Sequence, residues 1–153
     1  MKLFFAVIML IACTGVGYIL SLKFISRRKF YSEFLNFNKK IKNEVQFSSS
    51  TIKKIINESN DITDFNIAIK DGLTCKTNKI NYNYLTKEEK EYFNRYVNEV
   101  GKSDKISQLE FLTSASKYIE EKVNLTNTEE VKYKKLYIKL GFLFGLIIFI
   151  III

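Results

Sequence analysis

The sequence has no histidine, no proline and no tryptophan, and only two cysteines among 153 residues. Without histidine there is no imidazole base and no histidine metal ligand. Cys13 and Cys75 lie far apart, without the close spacing of a metal site, and two free thiols suit a reducing compartment. The six glycines form no phosphate-cradling loop. Acidic residues come in neighbouring pairs, Glu88–Glu89, Glu120–Glu121 and Glu129–Glu130. Neighbours on a helix point about 100° apart, so such a pair cannot converge on one atom and reads as a solvated face. These absences exclude the common catalytic and cofactor-binding designs. They point to a non-enzymatic interaction or scaffold protein with no cofactor.

What the chain does have is apolar sequence at both ends. Residues 3–22 carry no charge, and twenty helical residues rise about 30 Å, the depth of a hydrocarbon core. The stretch Leu10–Cys13 resembles a bacterial lipoprotein box, but the apolar run continues nine residues beyond Cys13, which favours a membrane span. Residues 140–153 are again uncharged, and fourteen residues rise about 21 Å. Lys139 can snorkel, and the bilayer can thin locally, to accommodate this shorter segment.

The net charge of +8 is concentrated beside these segments. Residues 23–42 hold seven basic side chains against one acidic, and residues 132–139 hold four basic and none acidic. The body between them, residues 43–131, has 12 basic and 15 acidic side chains. A nucleic-acid-binding protein needs its basic face on the folded body, so no nucleic acid is expected. Basic residues at membrane ends favour the cytoplasmic side and attract anionic headgroups. The expected layout is an N-terminal transmembrane helix (1–22), a cytoplasmic helical domain (23–139) and a C-terminal membrane segment (140–153).

The body reads as all-α. Phe30, Phe34, Phe37, Ile41 and Val45 recur at steps of four and three, the apolar face of a helix. With no breaker before them, one long helix is expected from about Leu3 to Gln46. Short helices are expected around Ile52–Ser59 and from Ile62 to a stop near Gly72, then a loop or irregular helix to Tyr84. Thr86 and Glu89 make a capping box ahead of the stripe Tyr92, Phe93, Tyr96, Val97 and Val100. Gly101 supplies a helix stop, Ser103 a cap for the next helix, and Asp104 a charge suited to that helix's positive end. The last helix follows Ile106, Leu109, Leu112, Ala115, Ile119 and Val123, and no glycine or proline interrupts it before the second apolar run. The fold class is therefore a helical bundle whose first and last long helices continue into membrane anchors. Gly141 and Gly145 are spaced G-x-x-x-G, which lets membrane helices approach closely. The partner is either the first apolar segment, where Gly15 and Gly17 lie, or another subunit, which leaves a homo-oligomer open.

Two blocks, "VGKSDKISQ" at 100–108 and "KKLYIKLGFLFGLIIFIIII" at the second apolar run, resemble the stage III sporulation protein AB family. Gly101, Ser103, Asp104 and Gln108 carry the likeness at the turn, and Lys135, Leu136, Tyr137, Leu140, Gly141 and Gly145 carry it at the second anchor. The layout is similar along most of the chain. The resemblance implies a scaffold component of a sporulation-specific, secretion-like channel between mother cell and forespore, lying in the mother-cell membrane. It implies a fold similar to part of the inner-membrane platform protein of type II secretion and type IV pilus systems. It also implies partners, namely a secretion-type ATPase of the same complex and other channel membrane proteins. Glu120, Glu121, Glu129 and Glu130, beside the polar stretch 124–130, are the candidate docking surface for that ATPase. The rival class is a small bilayer-acting effector, holin-like or stress-response, which expects little folded body.

Overall fold

The computed structural model describes residues 2–47, 63–74 and 82–152. Four α-helices appear among them: α1 (Lys2–Phe47), α2 (Asp64–Thr74), α3 (Lys87–Glu99) and α4 (Lys105–Ile152). The described residues contain no strand, in keeping with the all-α expectation. The short helix expected at Ile52–Ser59 falls outside them. α2 ends at Thr74, two residues past the expected stop near Gly72. An interior glycine costs a helix only about 1 kcal/mol, which burial of Phe65, Ala68 and Ile69 on the opposite turns outweighs.

The chain divides into two compact units, one of Met1–Arg28 with Leu125–Ile153, the other Lys29–Asn124. The second unit has an aromatic core. Phe30 and Phe34 of α1 meet Phe65 of α2 and Phe93 of α3, with ring centroids 5.4 to 5.5 Å apart. Tyr96 stands edge-on to Phe34 at 4.7 Å. Such pairs contribute about 0.5–1.5 kcal/mol each beyond the area they bury. Ile41, Leu112, Ala115 and Ile119 complete this core from α1 and α4.

One polar residue sits inside it. Asn38 is fully buried; its Nδ2 donates to the Leu112 carbonyl at 3.0 Å and to Ser116 Oγ at 2.7 Å. Its Oδ1 accepts from the Tyr96 hydroxyl at 2.9 Å. A single amide thus ties α1, α3 and α4 and sets their register, because every other alignment leaves buried polar groups unpaired.

The helix ends follow local chemistry. Glu89 N–H donates to Thr86 Oγ1, and the Glu89 carboxylate accepts from Thr86 N–H at 2.9 Å, closing the capping box. α3 stops where Gly101 takes φ 80°, a conformation open to glycine.

Candidate functional site

In the first unit, the apolar start of α1 runs against the apolar end of α4. Helices approach this closely only where side chains vanish. A methyl group at Gly17 would lie 2.5 Å from the Tyr137 carbonyl oxygen, and one at Gly141 only 2.7 Å from that of Cys13. At Gly145 it would meet Leu10 Cα at 3.1 Å. Gly141 and Gly145 therefore face α1 of the same chain, and Gly17 faces back. Gly15 does not take part, since nothing lies within 4 Å of its missing side chain. Ser21 is fully buried, with its hydroxyl donated to the Tyr18 carbonyl at 2.7 Å, and Thr14 donates to Leu10 at 2.9 Å. Each polar atom is satisfied by its own helix, as an apolar surrounding demands.

The outer surface of this unit is hydrophobic. Phe4, Phe5, Ile11, Ile19, Phe144 and Ile150 are each more than 60 % exposed. Among the described residues, α1 is the helix long and apolar enough to cross a membrane, with mean hydropathy 2.2 and 17 % of its apolar window buried. A core helix of a soluble protein would be mostly buried; this one is bare, consistent with a membrane anchor.

At the charged end of the apolar segments, Phe24 stacks on Tyr133 at 4.7 Å and on Tyr137 at 5.9 Å. Amphipathic rings at that level match the aromatic belt of a membrane interface. One turn further on, Arg27 Nη1 pairs with Glu129 Oε2 and Arg28 Nε with Glu130 Oε2. Glu129 and Glu130 thus bind two arginines of their own chain. The arginines, which by charge alone read as lipid-facing, spend part of their charge on this ladder.

The other candidate residues lie in the second unit. Glu120 pairs with Lys39 at 3.2 Å, both about half exposed, and Glu121 is exposed. Glu129 and Glu130 thus belong to the first unit, Glu120 and Glu121 to the second. At the turn, Gln108 is buried and its Oε1 accepts from Gly101 N–H and from the Ser103 hydroxyl, each at 3.0 Å. The α4 cap is Asp104, not Ser103: Asp104 Oδ2 accepts from Ile106 N–H at 3.2 Å and Ser107 N–H at 3.3 Å. A capping oxygen must stand immediately before the first helical residue, and α4 begins at Lys105. Hydrogen bonds from Ser107, side chain and backbone, hold the Asp104 carboxyl below its usual range. Gly101, Ser103, Asp104 and Gln108 form one hydrogen-bonded helix stop and start.

The turn and the α4 glycines, Gly141 and Gly145, lie within the residues that match a known family. The model of stage III sporulation protein AB covers residues 58–153. The chain belongs to the stage III sporulation protein AB family. As a family member, the chain is matched over α2, α3, α4 and the turn, while α1 up to Phe47 lies outside the matched region. Stage III sporulation protein AB is a structural sporulation family and not a known enzyme family. No curated protein and no solved structure shows a significant match to the chain.

Two features escaped sequence reasoning. Asn38 was hidden by its type, although it falls between Phe34 and Ile41 on the apolar stripe, at steps of four and three. The Arg27–Glu129 and Arg28–Glu130 ladder joins residues about a hundred positions apart. Its trace in the sequence is the matched doublets, Arg-Arg after one apolar run and Glu-Glu before the other.

Proposed function

We propose that this chain is a non-catalytic membrane scaffold of a sporulation-specific, secretion-like channel, anchored in the mother-cell membrane with its helical body in the cytoplasm. The family match over residues 58–153 is the observation that carries the reading. The bare apolar helix and the aromatic and basic belt beside it support the anchor. The folded aromatic core of residues 29–124 supports a docking body over a bilayer-acting effector, which has no need of one. The body docks a secretion-type ATPase of the same complex, a partner that follows from the likeness to the platform proteins.

Glu120 and Glu121 are the docking charges to test first, because both are exposed even with Glu120 paired to Lys39, whereas Glu129 and Glu130 are more buried in their pairs with Arg27 and Arg28. The experiment is a pull-down of the full chain in mild detergent with the ATPase. The wild type should retain it, and Glu120→Lys with Glu121→Lys should weaken retention most at low salt. No retention by the folded wild type would refute the partner. Retention indifferent to both reversals would move the surface to the 101–108 turn.

A further inference from the structure

The glycine contacts leave a valley on one side of the first unit. It is an apolar groove of about 410 Å³, floored by Gly17 and Gly141 and walled by Val16, Leu20, Leu140 and Phe144. It runs from Ala12 to Leu20, eight helical steps and about 12 Å, against about 15 Å for one leaflet's hydrocarbon. Tyr137 lines the groove at its charged end, and Lys23 Nζ stands 5.9 Å from that ring and 5.0 Å from Phe24. Among the described residues Lys23 has no carboxylate partner, because Glu129 and Glu130 are held by Arg27 and Arg28. Lys134 lies one turn before Tyr137 on the same face of α4.

We propose that this groove is a binding site for one anionic phospholipid, with an acyl chain along the glycine floor and the phosphate at Lys23 and Lys134. The proposal rests on the membrane reading above. Three features select a lipid over a transmembrane helix. The groove has the depth of one leaflet, whereas a helix needs a seam through both. Beyond Ala12 the seam closes, with Leu10 against Gly145. The cations stand only at the end where a headgroup would lie, beside the interfacial rings.

The test uses the full chain reconstituted in phosphatidylcholine vesicles that carry a trace of phosphatidylglycerol with a photoreactive acyl chain. Cross-links are mapped by mass spectrometry. Labelling should concentrate on Val16, Leu20, Leu140 and Phe144 rather than on the equally exposed Phe5, Ile19 and Leu143. A photoreactive phosphatidylcholine should show no such preference. Lys23→Gln should lower groove labelling by about fivefold, the worth of one basic residue at an anionic surface. Ala12→Phe, which fills the groove from its rim, should remove that labelling and leave the outward positions unchanged. Even labelling around both segments would overturn the proposal, as would groove positions cross-linked to a second copy, or Lys23→Gln without effect. A chain that stays outside the vesicles and is labelled nowhere would overturn the membrane reading itself, and this proposal with it.

Discussion

Replacing Asn38 by leucine keeps the branched shape and heavy-atom count of the buried side chain and removes its hydrogen bonding. Its three partners do not suffer equally. The Leu112 carbonyl still accepts from Ser116 Oγ at 3.0 Å. The Tyr96 hydroxyl, on a residue only 1 % exposed, loses its acceptor outright. An orphaned buried donor costs about 1–3 kcal/mol, so Asn38→Leu should destabilise the body by that amount. Tyr96→Phe leaves Asn38 Oδ1 as the orphan and should cost about as much. The double variant contains neither orphan, so it should be no less stable than the worse single one, with a coupling of about 1–3 kcal/mol. The measurement is urea unfolding of the full chain in detergent micelles. It is followed by tyrosine fluorescence and near-ultraviolet circular dichroism, with nine tyrosines and no tryptophan as the probes. The midpoint should fall at unchanged slope. Strict additivity of the two single losses would refute the account of Asn38 as the register pin.

Gly141→Ala should lower the thermal stability of the first unit in micelles by about 1–3 kcal/mol, because its methyl group meets the Cys13 carbonyl, whereas Gly15→Ala should cause no loss. Arg27→Glu and Glu129→Arg should each destabilise by about 1 kcal/mol after solvent screening, and the exchanged pair should recover most of it. Alkaline titration should unfold the body. Burial raises the Tyr96 hydroxyl well above the ordinary 10.0, and burial next to Tyr118 pushes Tyr92 up to about 12. A raised folded-state pKa favours the fold fully below pH 10, and that contribution drains away as pH climbs above it. Circular dichroism across pH 9 to 12 should show less alkaline loss in Tyr96→Phe than in the wild type, measured from each variant's own value at pH 9.

What the sequence made legible was whatever lies within a few turns of helix. The Thr86–Glu89 capping box, the stop at Gly101 and the stripe from Phe30 to Ile41 depend on neighbours in the chain, so spacing alone reveals them. Choosing Asp104 over Ser103 as the cap required knowing where the first helical dihedral falls, and two capping types side by side hide that. The ladder from Arg27 and Arg28 to Glu129 and Glu130 is long-range, and solvated and paired glutamates look alike as letters. The glycine contacts were half visible: the G-x-x-x-G spacing at Gly141 and Gly145 marks a face, but only geometry distinguishes Gly17, which touches α4, from Gly15, which does not.

The central claim is that the two apolar segments are each other's partners. A Cβ at position 145 would lie 3.4 Å from Cys13 Cβ, close to the roughly 3.5–4.5 Å span of a disulfide. Gly145→Cys in a Cys75→Ser background places two thiols at that contact and leaves no others. The chain is oxidised in native membranes and its free thiols are counted after denaturation, alongside non-reducing gel mobility. The account predicts that both thiols disappear into an intramolecular bridge and that the chain still runs as a monomer. Two thiols that stay free and reactive, or a disulfide-linked dimer in place of the bridged monomer, would contradict it.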